Sequence, residues 1–225
     1  ITFDTPIEDY VSDNPVEYLD FATMEMRMPL RTMDVLAAIE KATYDDNIDA
    51  IYLEPSPAMP VGLANLQEIR SALELFRESG KKIYSYAPYY SQRSYYLASV
   101  ADEVMLNPQG ELMWNGMQVQ VMFFKGLLDK LGIEAQAVKH GKYKSAVEPF
   151  LLSGMSAENR QQNELLVNSI WGDLVGGVAL SRGIDSLALQ RCATDLSVNG
   201  AEDALKLGFV DTLLYKDGVI SYLEE

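Results

Sequence analysis

The segment from Gly141 to Phe150 brings lysine, serine and glutamate side chains together within ten residues. Either Lys142 or Lys144 could serve as a general base if its amine were neutral. An ordinary lysine is almost fully charged at neutral pH, whereas burial in an apolar loop favours the neutral, proton-accepting amine. On the residues alone, the segment therefore predicts either a lysine base or two solvated loop charges.

The neighbouring candidates are weaker. His140 is the only histidine, and nothing in the sequence around it supplies the orienting partners of a Ser-His-Asp triad. Ser145 follows Lys144 directly, and consecutive side chains of an extended segment point to opposite faces. We therefore expect His140 to be an ordinary loop histidine and Ser145 not to be the nucleophile. Cys192 is the only cysteine, so neither an internal disulfide nor a Cys-based metal site is possible. The sequence contains no phosphate loop, paired-carboxylate signature or metal motif, and no cofactor is expected.

Two predicted strand-to-helix turns could also carry chemistry. The tyrosine-rich turn in Tyr86–Ser99 contains several serines but lacks the Gly-x-Ser-x-Gly pattern of a nucleophile elbow, so its tyrosines are expected to pack and cap. The loop Glu54–Gly62 lies where backbone N–H groups often bind an oxyanion. It contains three prolines, which have no N–H to donate, and is predicted to be a rigid connector.

Helix-like stretches alternate with short apolar runs along the chain. This alternation favours an α/β fold with a mainly parallel sheet. The lysine segment follows the fourth predicted strand, and ligands of open α/β sheets bind beyond the carboxyl ends of strands. The predicted helices are 33–42, 66–76, 95–101, 123–131 and 204–208, and the strands after them are 50–53, 82–86, 103–106, 133–138 and 209–214.

Glycines mark further features of these elements. Gly80 is predicted to end a helix with positive φ. The longest helix is predicted from an N-cap at Ser156 to about Ser181. It contains three glycines, each of which lowers the stability of the helix by about 1 kcal/mol relative to Ala. Because this loss needs a compensating gain, the glycines predict close packing of the helix against a neighbour. These are Gly172, Gly176 and Gly177.

Composition excludes several classes of function. The 225 residues include 18 Lys and Arg against 33 Asp and Glu, and the net charge of −15 argues against nucleic acid as a partner. Hydrophobic residues make up 48%, enough for a folded core. No apolar run reaches the roughly 18 residues that a membrane span requires. The sequence begins with Ile1 rather than Met, and a signal or anchor segment is expected upstream.

Several segments together resemble the signal peptide peptidase A family, which comprises membrane-anchored serine peptidases of bacteria with a Clp-protease/crotonase-like fold. The match is closest to the amino-terminal half of the long, two-domain form. Tyr143–Phe150 resembles the segment that holds the family's catalytic lysine, which maps onto Lys144. The other segments that carry the resemblance are Tyr90–Gln92, Tyr95–Ser99, Asn107–Gly110 and Leu127–Ile133.

The chain departs from the family pattern at two positions. Gln92 occupies the place where the short members have a nucleophilic serine followed by two glycines. Residues 56–60 align with the glycine-rich oxyanion loop but contain no glycine. The resemblance therefore implies that the chain supplies a base without a nucleophile, and that the serine lies in a carboxyl-terminal half or in another subunit.

The resemblance further implies one α/β domain over residues 1–225, with superhelical ββα repeats and a mainly parallel sheet. The implied substrates are signal peptide remnants, cut on the extracytoplasmic side of the bacterial inner membrane. Homo-oligomers are expected from apolar faces left uncovered in this half, and replacing Lys142 is expected to do little. Two alternatives stay open: a non-catalytic scaffold on the same fold, and an acyl-CoA hydratase or isomerase, which the proline-rich loop disfavours.

Overall fold

The computed structural model describes residues 1–21, 23–138, 140–141 and 143–224. The chain divides into two compact units. One comprises Ile1–Asn115 together with Gly177–Glu225, and the other is Gly116–Gly176. Among the described residues, no helix combines the length and the hydropathy that crossing a bilayer requires.

The first unit contains two small sheets and one larger sheet. Strand β1 (Ile7–Glu8) pairs with β4 (Leu30–Arg31) in parallel, and β2 (Leu19–Asp20) pairs with β3 (Glu25–Met26) in antiparallel fashion. The larger sheet is parallel throughout and has the order β5-β6-β7-β8. Its strands are β5 (Ala50–Leu53), β6 (Lys82–Tyr90), β7 (Glu103–Leu112) and β8 (Thr212–Leu213).

The described part of the chain contains helices in both units. The early helices of the first unit are α1 (Thr32–Tyr44), α2 (Leu63–Glu78) and α3 (Gln92–Ala98), preceded by a 3-10 helix at Pro15–Tyr18. The second unit contains α4 (Lys125–Lys130), α5 (Glu148–Leu151) and the start of α6 (Ala157–Arg182), which ends in the first unit. The first unit closes with α7 (Ser186–Thr194), α8 (Ala201–Lys206) and α9 (Lys216–Glu224).

Helix α9 packs on a tyrosine-rich face of the larger sheet. Its Val219 is buried against Tyr86 and Met105. The Lys216 amine donates to Glu54 Oε2 at 2.7 Å and to the Tyr52 hydroxyl at 3.0 Å. Burial alone would lower the pKa of Lys216, but its hydrogen bonds to Glu54 and Tyr52 raise it. The charged amine therefore ties α9 to the carboxyl end of β5.

Buried aromatic rings fill the centre of the first unit. Tyr95, Trp114 and Phe209 have ring centroids 5.5–5.9 Å apart. The Tyr95 hydroxyl donates to the Phe209 carbonyl, and Trp114 Nε1 donates to the Leu189 carbonyl. Burial raises the pKa of Tyr95, which keeps its phenol protonated. The prediction that tyrosines of the 86–99 turn serve packing is confirmed at Tyr95.

One buried cation joins three helices. Arg70 of α2 is 3% exposed and pairs with Glu74 at 3.1 Å. Burial lowers the pKa of Arg70, and Glu74 opposes that shift. The guanidinium donates to the Tyr96 carbonyl on α3 and to the Ser99 hydroxyl directly after α3. It also donates to the Gly177 carbonyl and the Ser181 hydroxyl on α6.

The mixed α/β class and the parallel sheet predicted from the sequence are confirmed. Strand β5 has the predicted bounds, and Gly80 follows α2 with φ of +92°. The predicted strand 133–138 is wrong: these residues are described, but they pair with no described strand. Ile133 and Val138 are exposed, so the segment lacks the neighbour that turns an apolar run into a strand. The lysine segment therefore does not follow a strand.

The glycine prediction for α6 holds at one position of three. At Gly177 an added Cβ would lie 2.6 Å from the Tyr96 ring, whereas at Gly172 and Gly176 it would meet nothing within 4 Å among the described residues. We expect Gly177→Ala to lower the free energy of unfolding by about 1–3 kcal/mol through overpacking. Gly172→Ala is the matched control and should raise it by about 0.5–1 kcal/mol. Urea denaturation compares the two, and equal effects would contradict the packing role of Gly177.

Candidate functional site

The lysine segment forms a turn in the second unit. Lys144 is exposed, and the carbonyl of the next residue, Ser145, accepts a hydrogen bond from the Glu148 N–H at 2.9 Å. Helix α5 begins at Glu148. His140 is exposed, as expected for an ordinary loop histidine, and Lys142 lies outside the described residues. The Lys144 amine is thus open to solvent, not enclosed in an apolar loop.

A buried carboxylate lies four residues beyond Lys144. Glu148 is only 1% exposed. Its Oε1 accepts the Ser156 hydroxyl at 2.6 Å, and its Oε2 accepts the Ser156 N–H at 3.2 Å and the Asn159 side-chain amide at 2.8 Å. Ser156 also caps α6, since its Oγ accepts the Asn159 N–H at 3.2 Å, which confirms the predicted N-cap.

Gln92 stands at the first residue of α3, in the first unit. Its side-chain Oε1 accepts the backbone N–H of Asn115 at 2.6 Å. Ser91 caps the helix, because its hydroxyl oxygen accepts the Ser94 N–H. The position that the resemblance gives to a nucleophile therefore holds an amide group that binds the protein's own backbone.

The nearby Ser94 is fully buried. Its hydroxyl lies 3.0 Å from the Ser91 hydroxyl and 3.1 Å from the Ser91 carbonyl, to which it donates. No substrate carbonyl can reach an oxygen in that environment without opening α3. Ser94 therefore does not replace the nucleophile missing at Gln92.

The proline-rich loop contacts neighbouring segments through hydrogen bonds and one buried side chain. Met59 is fully buried, and the Pro60 carbonyl accepts the Ile7 N–H at 3.1 Å. The Val61 carbonyl accepts a hydrogen bond from the Arg93 guanidinium, and the Val61 N–H donates to the Met59 carbonyl at 2.8 Å. These contacts use the Val61 N–H within the protein, and the three prolines of the loop have no N–H to offer a developing oxyanion.

The structure thus places the sequence-predicted residues in separate units. Lys144 and Ser145 belong to the second unit, whereas Gln92 and the 56–60 loop belong to the first. Across the described residues, no group of three or more His, Cys, Asp and Glu side chains is arranged to hold a metal ion.

Sequence reasoning missed the buried network of Glu148. A charged residue between apolar neighbours was visible in the Val147–Phe150 segment. The donors that satisfy it come from Ser156 and Asn159, and their spacing of three residues fits one turn of a helix start. That spacing was the available signal, although it does not tell which acceptor the donors face.

Comparison with known proteins places the chain in a family. Residues 75–225 match the model of peptidase family S49, and this range includes Lys144. The chain is 35% identical over 185 residues to Protease 4 of Haemophilus influenzae, covering 79% of this chain and 30% of that protein. It is 35% identical over 151 residues to Protease 4 of Salmonella typhi, covering 67% and 24% respectively.

A plant relative shows the same pattern. The chain is 30% identical over 185 residues to the chloroplastic serine protease SPPA of Arabidopsis thaliana, covering 82% of this chain and 27% of that protein. The chain therefore spans about a quarter to a third of the length of these relatives. The family match extends over two thirds of the sequence and confirms the resemblance drawn from its motifs, so the chain belongs to peptidase family S49.

Proposed function

We propose that this chain is the amino-terminal part of a serine peptidase of the signal peptide peptidase A type, with Lys144 as its general base. The nucleophilic serine comes from a carboxyl-terminal half of the protein or from another copy. The observation that carries the proposal is the asymmetry of the chain. The family match includes the lysine segment, while the nucleophile position holds Gln92 and the nearby Ser94 is buried.

The proposed reaction is acyl transfer by a Ser/Lys dyad. Neutral Lys144 takes the proton of the serine hydroxyl as its oxygen attacks the carbonyl carbon of a peptide bond. The tetrahedral intermediate collapses, and the leaving amine departs with a proton returned by Lys144. A water molecule then attacks the acyl-enzyme while Lys144 accepts its proton. When the second tetrahedral intermediate collapses, Lys144 returns that proton to the serine oxygen, and the carboxylic acid product leaves.

The exposure of Lys144 defines what the rest of the protein must add. A solvated amine is a poor base near neutral pH because water stabilises its charged form. The proposed serine-bearing half therefore does two things: it brings the nucleophile, and it covers Lys144 so that the neutral amine becomes accessible.

Exposed apolar side chains support a covering partner. Within the described part of the second unit, several large apolar residues are more than half exposed, which is typical of surfaces that meet another domain or subunit. They include Met122, Leu127, Leu131 and Leu165. We propose that the carboxyl-terminal half and further copies of the protein cover them, on the superhelical Clp-protease/crotonase-like architecture that the family resemblance implies.

The proposed substrates are signal peptide remnants. The proposed setting is the extracytoplasmic side of the bacterial inner membrane, to which a membrane anchor attaches the protein. Both rest on the family resemblance.

The isolated 225-residue chain is expected to hydrolyse no peptide. Gln92 has no nucleophilic oxygen, Ser94 is buried, and prolines of the 54–62 loop lack the N–H groups of an oxyanion hole. Turnover of a fluorogenic peptide and labelling by a serine-directed phosphonate measure this. The full-length protein is the control and should be labelled at a serine outside residues 1–225. Stoichiometric labelling of Ser94 or Ser145 in the isolated chain would contradict the proposal.

A further inference from the structure

The Glu148 carboxylate is the most deeply buried acidic group beside the lysine segment. A buried charge is costly unless hydrogen bonds satisfy it, and bonds to a charged acceptor are stronger than neutral ones. Ser156 donates twice and Asn159 once, and Asn159 is itself only 5% exposed. The network is therefore specific to a carboxylate with donors on both oxygens.

These bonds connect the backbone next to Lys144 to a long helix. The Glu148 N–H closes the turn back to the Ser145 carbonyl, and the Glu148 side chain reaches the first turn of α6. Helix α6 extends over 26 residues and begins directly after Ser156. The position from which the Lys144 side chain projects is thus set by one carboxylate bound to the end of a rigid element.

A second attachment lies beyond Glu148 and does not depend on it. The Phe124 N–H donates to the Pro149 carbonyl at 2.6 Å, and the rings of Phe124 and Phe150 stack with centroids 5.9 Å apart. These contacts hold residues 149–150 to the start of α4. Loss of the Glu148 bonds should therefore loosen the turn that carries Lys144 while the rest of the segment remains attached.

We propose that Glu148 is a positioning residue for Lys144. It anchors the base-bearing turn to the amino-terminal end of α6, so that the amine meets the serine hydroxyl in a fixed geometry. This inference rests on the proposed function of Lys144 as the general base. It adds a residue that touches neither substrate nor serine but determines how fast the base can act.

The test is the Glu148→Gln variant of the full-length protein. Gln keeps the shape and one acceptor oxygen for the Ser156 N–H and the Asn159 amide, but its NH2 group takes the place of Oε1, so the charge-assisted 2.6 Å bond from the Ser156 hydroxyl is lost. A displacement of about 1 Å can cost on the order of 10²-fold in rate. We expect kcat for a peptide substrate to fall about 10- to 100-fold while KM stays within about twofold, because binding does not use the turn.

A compensating variant separates positioning from general loss of structure. Adding Asn159→Asp to Glu148→Gln exchanges the amide and the acid, so that the new amide at position 148 donates to a carboxylate at position 159. The Ser156 N–H, which now donates to Glu148 Oε2, can then donate to that carboxylate, as the N-cap N–H does in a capping box. The Asn163 side-chain amide, which now donates to Asn159 Oδ1 at 2.7 Å, keeps its acceptor. An acidic group in the first turn of α6 is also favoured by the helix dipole. We expect the double variant to recover kcat to within about threefold of the original.

The outcomes distinguish this inference from the proposed function. Unchanged kcat in folded Glu148→Gln, or no recovery in a folded double variant, overturns the positioning role. If Glu148→Gln does not fold, Ser156→Ala replaces it as the test, because it removes only the 2.6 Å hydroxyl contact to Glu148 and the cap of α6. Ser156→Ala should lower kcat several-fold at constant KM. An unchanged kcat in this variant overturns the positioning role. Lys144→Arg, measured in parallel, tests the base itself. An active Lys144→Arg enzyme overturns both the general-base role of Lys144 and the positioning role of Glu148. If Lys144→Arg is inactive while Glu148→Gln has a normal rate, only the positioning role is overturned.

Discussion

Replacing Lys144 with Arg in the full-length protein is expected to abolish peptide turnover while the protein stays folded. Arg keeps the positive charge and nearly the length of Lys, but it cannot release a proton near neutral pH. Loss of a general base costs about 10²–10⁴-fold in rate, and the loss is larger here because the same amine serves both halves of the reaction. Lys144 is exposed in this chain, so neither Arg nor Ala should disturb its core. Steady-state kinetics and circular dichroism measure the two effects.

Lys125→Arg is the matched control for this substitution. Lys125 lies in the same unit and pairs with Asp129 at 2.7 Å, an exposed i,i+4 pair that Arg can also make. Its rate should stay within about twofold, as expected for exposed charges of small energetic weight. Near-normal turnover in Lys144→Arg would mean that Lys144 is an ordinary solvated charge, and the proposed mechanism would be wrong.

Replacing Arg70 with Met should lower the free energy of unfolding by about 3–5 kcal/mol, the range seen when one partner of a buried ionic network is removed. Met can fill the space of the aliphatic chain, but it removes the guanidinium that donates to the carbonyls of Tyr96 and Gly177 and that pairs with Glu74. The guanidinium also lies 4.5 Å from the centre of the Tyr96 ring, and that contact is lost as well. Denaturant unfolding followed by circular dichroism gives the difference.

An exposed arginine provides the comparison for Arg70. Arg27 pairs with Glu25 at 2.7 Å, and the two side chains are 80% and 56% exposed. Arg27→Ala should change the stability by less than about 1 kcal/mol, since surface pairs contribute little. A loss below about 1 kcal/mol in Arg70→Met would show that the acceptors around Arg70 find other donors, and its role in joining the helices would be refuted.

The sequence predicted those parts of the fold that depend on neighbours along the chain. The bounds of β5, the positive φ of Gly80 and the Ser156 cap of α6 all follow from short patterns. The 133–138 strand failed because an apolar run becomes a strand only beside a partner, and the described part of the chain offers it none. Gly172 and Gly177 look alike in sequence, yet only the second lies against a distant tyrosine ring.

In the candidate site too, features that depend on nearby residues were predictable and features that depend on distant residues were not. A specific local motif identified Lys144, and the glutamine at position 92 was visible as a departure from that family's pattern. The buried state of Glu148 and the internal bonding of Gln92 were not predictable, because their partners, Asn159 and Asn115, lie 11 and 23 residues away. Such contacts depend on tertiary packing, which no local pattern encodes.

The discontinuous first unit has a consequence for the order of events during synthesis. Strand β7 pairs with β8, and the Val104 N–H donates to Asp211, which lies 107 residues later. At about 5–20 residues per second, the edge of β7 waits about 5–20 s for this partner while the whole second unit is made. An open strand edge invites pairing with other chains, and long-range strand pairing is slow. Chaperone supply and a lower expression level, which reduces encounters between incomplete chains, should therefore improve the soluble yield of this protein.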